Sequence, residues 1–259
     1  MKRCFIFQLA LFLCYLSPVF SITNQDLEKI GEKIWDNECK KSLNGLTSWN
    51  DREDFASIGI GHFIWYPDHK ERKFEESFPQ FIGFIKQKKP QGLPQFLLDH
   101  QSCPWNSKEA FYENFYSSDM QELREFLIAN KHLQIGFMFH RLKLSLPKMI
   151  KACSKKEKRK VTMLFKNLSK SIKGLYVLID YLNFKGSGIN PEENYEGYRW
   201  GLLQVLLLIP DHSSEPIGDF VKTAKTLLLR RVSHAPVERQ EEKWVKGWMN
   251  RLNTYLEDI

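Results

Sequence analysis

The chain has 259 residues, with 38 basic and 31 acidic side chains and a formal charge of +7. That length reads as one fairly large domain, or one domain with a subdomain, and the moderate basic balance suits an acidic wall polymer or an anionic membrane surface without by itself arguing for nucleic acid. Five cysteines, of which Cys4 and Cys14 fall in the first 21 residues, exclude a disulfide scaffold, so the core must come from packing.

Residues 1–21 have the layout of a secretory signal peptide: Lys2 and Arg3, an apolar run from Cys4 to Leu16 interrupted only by Gln8, then Pro18 and Val19-Phe20-Ser21. The apolar run is short for a membrane span, although an uncleaved N-terminal anchor is the other reading, and no later stretch is long and apolar enough to span. The expectation is a secreted or periplasmic protein of residues 22–259, with no stable membrane insertion. Without Lys2 and Arg3 its charge is +5. It keeps Cys39, Cys103 and Cys153, which allow at most one intramolecular disulfide.

Leu27, Ile30, Ile34 and Trp35 at helical spacing predict a helix over 24–39, capped by Asn24 or Asp26. The polar residues 40–54, with Asn44-Gly45 and Trp49-Asn50-Asp51, read as loop or hairpin. Ser57 to His62 reads as a strand in which Ile58 and Ile60 alternate with Gly59 and Gly61. Glycine weakens a strand unless something must approach its backbone. Phe63 and Ile64 read as core, while Trp65 and Tyr66 either close the core or stack on a sugar ring. Two short helices are expected around Lys89-Pro90 within 74–101, and another after Pro104 with Ser107 as its cap. Residues 118–145 continue helical, and 154–182 read as a basic amphipathic helix that becomes fully apolar. Asn183 to Gly201 reads as a long loop, the apolar run to Ile209 as a buried helix, and 215–232 and 237–257 as the last helices. The fold class is α+β and predominantly helical, with a small β-hairpin element in a lobe at about 38–70 and a helical lobe at about 71–259.

Glu38 closes the first helix, and the loop after it carries Thr47, Asp51, Glu53 and Asp54. A helix-borne acid facing a small β element, with bare glycine backbone between them, makes a workable sugar cleft. The acid reaches the glycosidic oxygen, and a second carboxylate holds water or steadies the oxocarbenium-like charge. Glu38 followed by a loop and Ser57-Ile58-Gly59-Ile60-Gly61-His62 resembles the catalytic segment of phage-type lysozymes of the lysozyme-like superfamily, which also contains lytic transglycosylases. That resemblance implies a lysozyme-like fold and cleavage of peptidoglycan, with Glu38 as general acid. Ser57 takes the place of the family's hydroxyl residue, and Gly59, Gly61 and His62 match the strand. The second carboxylate is Asp51, at about the family's spacing, or Glu53. The general-acid role requires a raised Glu38 pKa, from burial beside Trp35 or the strand. The product is hydrolysed, or anhydro if the sugar's own 6-hydroxyl attacks. A longer pattern is similar to a group of secreted bacterial proteins that brings no assigned activity with it: Ile34-Trp35, Asn37-Glu38, Leu46 to Asn50, the stretch to Pro67, Asp180 to Gly186 and Gly197 to Leu206.

His62 reads foremost as a structural imidazole pinning the hairpin to the helix through backbone or carboxylate bonds. No second His or Cys stands at ligand spacing, so neither a metal nor another cofactor is expected. Cys39 reads as a packing residue or disulfide half, with a nucleophile as the other reading. The loop from Asn183 supplies candidate ligand-binding groups in Asn183, Lys185, Tyr195, Tyr198 and Arg199. Gln204, polar in an apolar helix, needs a partner or faces the cleft. The basic run at 151–160 reads as a solvated helix face and not as a nucleic-acid site. The competing reading of the whole is a non-catalytic glycan-binding or envelope-assembly protein. The sequence carries no sign of oligomeric state.

Overall fold

The structure is a computed structural model that describes residues 22–88 and 92–259. The expected leader at 1–21 and the Lys89-Pro90 break lie outside the described residues. The first helix, α1 (Asn24–Cys39), is capped by Thr23 and not by Asn24 or Asp26: the Thr23 hydroxyl accepts from Asp26 N at 3.1 Å while the Asp26 carboxylate accepts from Thr23 N at 3.0 Å. It ends where Lys40 (φ 49°) and Lys41 (φ 54°) turn left-handed, which leaves Glu38 in the last turn. Further back, α1 crosses the long helix α6 (Lys131–Ala152) at Gly31, where any Cβ would lie 1.6 Å from Ile135 Cδ1. Glycine is required by this close approach.

A 3₁₀ turn (Asn44–Leu46) leads into a three-stranded antiparallel sheet of β1 (Thr47–Ser48), β2 (Ala56–Ile58) and β3 (Phe63–Trp65), in that order. Thr47 pairs with Ile58, and Ser57 with Ile64. The expected strand over Ser57–His62 stops at Ile58. Gly59 (φ +83°) and His62 (φ 47°) bend the chain into the β2–β3 hairpin turn, because glycine reaches positive φ without a Cβ clash. Gln134 of α6, fully buried, anchors that turn by accepting from Ile60 N at 2.8 Å and donating to Leu127 O at 2.7 Å.

The rest is helical: α2 (Phe78–Lys88), α3 (Gln95–Asp99), α4 (Lys108–Glu113), α5 (Ser118–Ala129), α6, α7 (Lys155–Leu168), α8 (Ile172–Lys185), α9 (Leu202–Leu208), α10 (Pro216–Ser233) and α11 (Glu242–Thr254). The helical stretch at 118–145 is made of α5 and α6, which meet at Asn130, whose side chain donates to Phe126 O at 2.8 Å. Two expected helices are divided. The 154–182 helix breaks before Ser171, whose hydroxyl accepts from Gly174 N at 3.0 Å and starts α8. The last helix begins at Glu242, after a 3₁₀ turn (Val237–Arg239) and left-handed Gln240. α8 also runs three residues into the expected loop, ending at Lys185.

Helix α8 is the centre of the core, buried from Gly174 to Leu182 and packed on α1, α6, α7 and α9. Trp65 and Tyr66 are both buried. Trp65 packs on Phe78 at a ring separation of 4.8 Å, and Tyr66 on Phe55 at 5.1 Å. Cys39, Cys103 and Cys153 are free and buried. Among the described residues, no helix is long and apolar enough to cross a membrane.

Candidate active site

The end of α1, the β2–β3 hairpin, the end of α8 and one face of α11 surround a cleft of about 290 Å³. Glu38, Glu53, Ser57, Gly61, His62, Asn183 and Lys185 of the expected site residues line it.

A carboxylate in the last turn of a helix sits at the negative end of the backbone dipole and needs cations. Glu38 has two. Arg251 Nη1 of α11 lies 2.6 Å from its Oε1, and His62 Nδ1 lies 3.5 Å from its Oε2. Arg251 is itself fixed from behind by Asp180 of α8, through bonds of 2.9 and 2.7 Å, and Tyr255 donates to the same carboxylate at 2.5 Å. Asp180 is fully buried. The result is a rigid chain from α8 through α11 to α1. Burial pushes the Glu38 carboxyl up, but Arg251 foremost, then His62 and Lys185, hold it below the usual carboxylate range. The expected rise in Glu38 pKa is therefore reversed: its neighbour in the cleft is a guanidinium, not Trp35.

Glu53 has the opposite environment. The Trp49 indole donates to Glu53 O at 2.7 Å and tucks this part of the loop inward. Burial raises the Glu53 carboxyl above its ordinary range, opposed by one bond from Asn50 at 3.0 Å and by the charges of His62, Arg239 and Lys185. Asp51, the residue at the resembled spacing, is three-quarters exposed and ion-paired to Lys108 outside the cleft, which lowers its pKa.

His62 holds the hairpin to the loop below it. Its Nε2 lies 3.0 Å from Gly45 O, within hydrogen-bond reach, and 3.5 Å from Cys39 Sγ. Thiol, imidazole and Glu38 carboxylate thus line up, but Nε2 is committed to a carbonyl, and burial and Glu38 push the Cys39 thiol far up. This leaves an inert packing thiol. Asn183 donates to Gly61 O at 2.7 Å and ties α8 to the hairpin.

Six expected ligand-binding residues, Gly59, Tyr66, Tyr195, Tyr198, Arg199 and Gln204, do not line the cleft. Gly59 faces Gln134 and Leu127 inside the core. The Tyr66 hydroxyl is buried behind Phe55, accepting from Phe74 N at 3.2 Å. Tyr198 packs on the His234 ring at 4.3 Å on the surface. Gln204 donates to Gly188 O at 3.0 Å and borders a separate groove with α7.

Sequence reasoning missed the wall opposite the hairpin: Trp244, Trp248 and Arg251 on one face of α11, with Arg231 and Arg239. The spacing 244, 248, 251 is a helical stripe, and Asp180 inside an apolar run signals a buried cation. Both were readable in principle. Glu241, buried beside this wall, accepts from Arg231 at 2.7 and 2.5 Å and from the Tyr195 hydroxyl at 2.7 Å. Burial opposes these partners, but Arg231 and Tyr195 prevail and hold the Glu241 carboxyl low. At the far end, Arg141 pairs with Glu75 at 3.0 Å, and burial raises the Glu193 carboxyl.

No family model, curated protein or solved structure matches the chain. The functional reading therefore stands on the cleft's residues and on the motif between Glu38 and His62.

Proposed function

We propose that the protein cleaves glycans, with peptidoglycan as its substrate, on a lysozyme-like fold. The observation that carries the reading is that two carboxyl groups with opposite electrostatic environments face one open cleft beside the hairpin. Pairs of titratable groups pushed apart in this way mark acid and base assignments. Glu53, raised by burial, is the proton donor to the leaving glycosidic oxygen. Glu38, held ionised by Arg251, steadies the positive charge developing at the ring carbon or takes the proton of attacking water. This exchanges the roles implied by the resemblance, in which Glu38 is the acid. The cleft volume lies at the lower end of the roughly 300–1,000 Å³ of small-ligand sites.

A second reading is a glycan-binding protein without activity, and it too has an observation behind it: Glu38 is already neutralised by Arg251 at 2.6 Å. The two readings separate on purified sacculi. The enzyme releases soluble muropeptides, and Glu53→Gln and Glu38→Gln each abolish release while retaining binding. Binding without release by the unaltered protein establishes the second reading and overturns the first. Mass spectrometry of the fragments distinguishes reducing from anhydro ends.

A further inference from the structure

Lys185 ends α8 with only 9% of its surface exposed, yet it lines the cleft. Its Nζ lies 3.6 Å from the ring centre of Trp248 and 4.0 Å from that of Phe184. Among the described residues it makes no ion pair and no hydrogen bond. The side chain is held against the two rings while the amine, without a protein acceptor, is left to partners in the cleft.

The neighbouring charges are already committed. Arg251 holds Asp180 and Glu38, and Arg231 holds Glu241. Glu241 also accepts from Tyr195 and lies 3.9 Å from Arg239, whose buried Nε has no hydrogen-bond partner. One carboxylate thus serves Arg231, Arg239 and the field of Lys185 together. The remaining carboxyl that feels Arg239 and Lys185 is Glu53, which burial raises and which accepts from Asn50; cations thus outnumber committed carboxylates here, and the aromatic floor suits the apolar face of a ring.

We infer that Lys185, Arg239 and Trp248 form a subsite for a carboxylate carried by the ligand, which accepts from the Lys185 amine while the ligand's ring rests on Trp248. The identity of the ligand as a sugar acid rests on the glycan reading above; the carboxylate subsite does not. Burial, with the charges of Arg231 and Arg251, pushes the Lys185 amine well below its ordinary range, against the opposing pull of Glu241 and Glu38. A bound carboxylate adds the missing countercharge and favours the ammonium form of the amine.

Calorimetric titrations with N-acetylmuramic acid, N-acetylglucosamine and D-lactate test this. The full-length protein binds the sugar acid at least about tenfold more tightly than the neutral sugar, as expected for one charge-assisted bond. Lys185→Met levels the two sugars, and Lys185→Arg retains the preference; circular dichroism checks that both variants are folded. Lactate that binds the unaltered protein but not Lys185→Met, with no binding of either sugar, keeps the subsite and removes the glycan reading. Equal affinity for the two sugars in the unaltered protein, or a preference that survives Lys185→Met, overturns the subsite and leaves the glycan reading standing. Failure of all three ligands to bind overturns both.

Discussion

The Asp180–Arg251–Glu38 chain fixes the position of α11 against α8 and α1, and a double-mutant cycle measures how strongly. Asp180 is fully buried, and Arg251 is about nine-tenths so. Asp180→Asn leaves the guanidinium with Glu38 alone. Arg251→Gln leaves Asp180 with the Tyr255 hydroxyl, and Glu38 with His62 at 3.5 Å and the more distant charge of Lys185. Removing one partner of a buried pair costs about 3–5 kcal/mol, because the other charge stays buried without compensation. Each single change therefore removes a large part of the roughly 5–15 kcal/mol that holds a domain folded, and lowers Tm by about 6–20 °C at about 2–4 °C per kcal/mol. The double variant costs less than the sum by about 1–3 kcal/mol, since the stranded charge is gone. Urea denaturation followed by tryptophan fluorescence supplies the four stabilities. Additivity within about 0.5 kcal/mol, or single changes each costing under about 1 kcal/mol, refutes the description of this chain as one electrostatic unit.

Two further predictions follow from the same geometry. Glu38 is held below its ordinary pKa, so its contribution is present above the unfolded-state value, roughly 4.3, and fades as pH falls through the folded value. Glu53 is raised, so its ionisation opposes folding above its folded value and has no effect well below the unfolded one. Glu38→Gln therefore destabilises the protein at pH 7 by about 1.5–3 kcal/mol, the worth of a hydrogen bond to a charged group, while Glu53→Gln stabilises it. Both differences shrink toward pH 3, and effects of the same sign at pH 7 contradict the assignment. In the hairpin, Gly59→Ala places a Cβ at φ +83°, 2.3 Å from Gln134 Oε1. Left-handed strain of about 1–2 kcal/mol and loss of a buried bond worth about 1–3 kcal/mol give a combined cost of about 2–5 kcal/mol by thermal denaturation.

Local features were legible in the sequence. The apolar spacing of Ile30 and Ile34 located α1, and with it the placement of Glu38 at a helix end. Gly61 and His62 beside Glu38 followed from the same short stretch, as did the structural bonds of the imidazole. What the sequence concealed depends on distant contacts or on backbone sign. Gly59 alternates with Ile58 as a strand residue would, but its positive φ belongs to a turn. Asp51 and Glu53 are two residues apart in one polar loop, and only the Trp49 indole bond to the Glu53 carbonyl decides which enters the cleft. The ionisation of Glu38 depends on Arg251, near the far end of the chain. No local pattern reports that contact, although the lone Asp180 in a buried helix indicates that a cation must reach it.

Glu38 and Glu53 share one cleft that shifts their carboxyl pKa values in opposite directions. Nuclear magnetic resonance titration of the two side-chain carboxyl carbons, assigned by Glu38→Gln and Glu53→Gln, tests it most directly. The Glu38 signal is expected to titrate below the ordinary glutamate value of about 4.3 and the Glu53 signal above it. A Glu38 signal titrating above that value, with Glu53 at or below it, contradicts the account and returns the proton-donor role to Glu38.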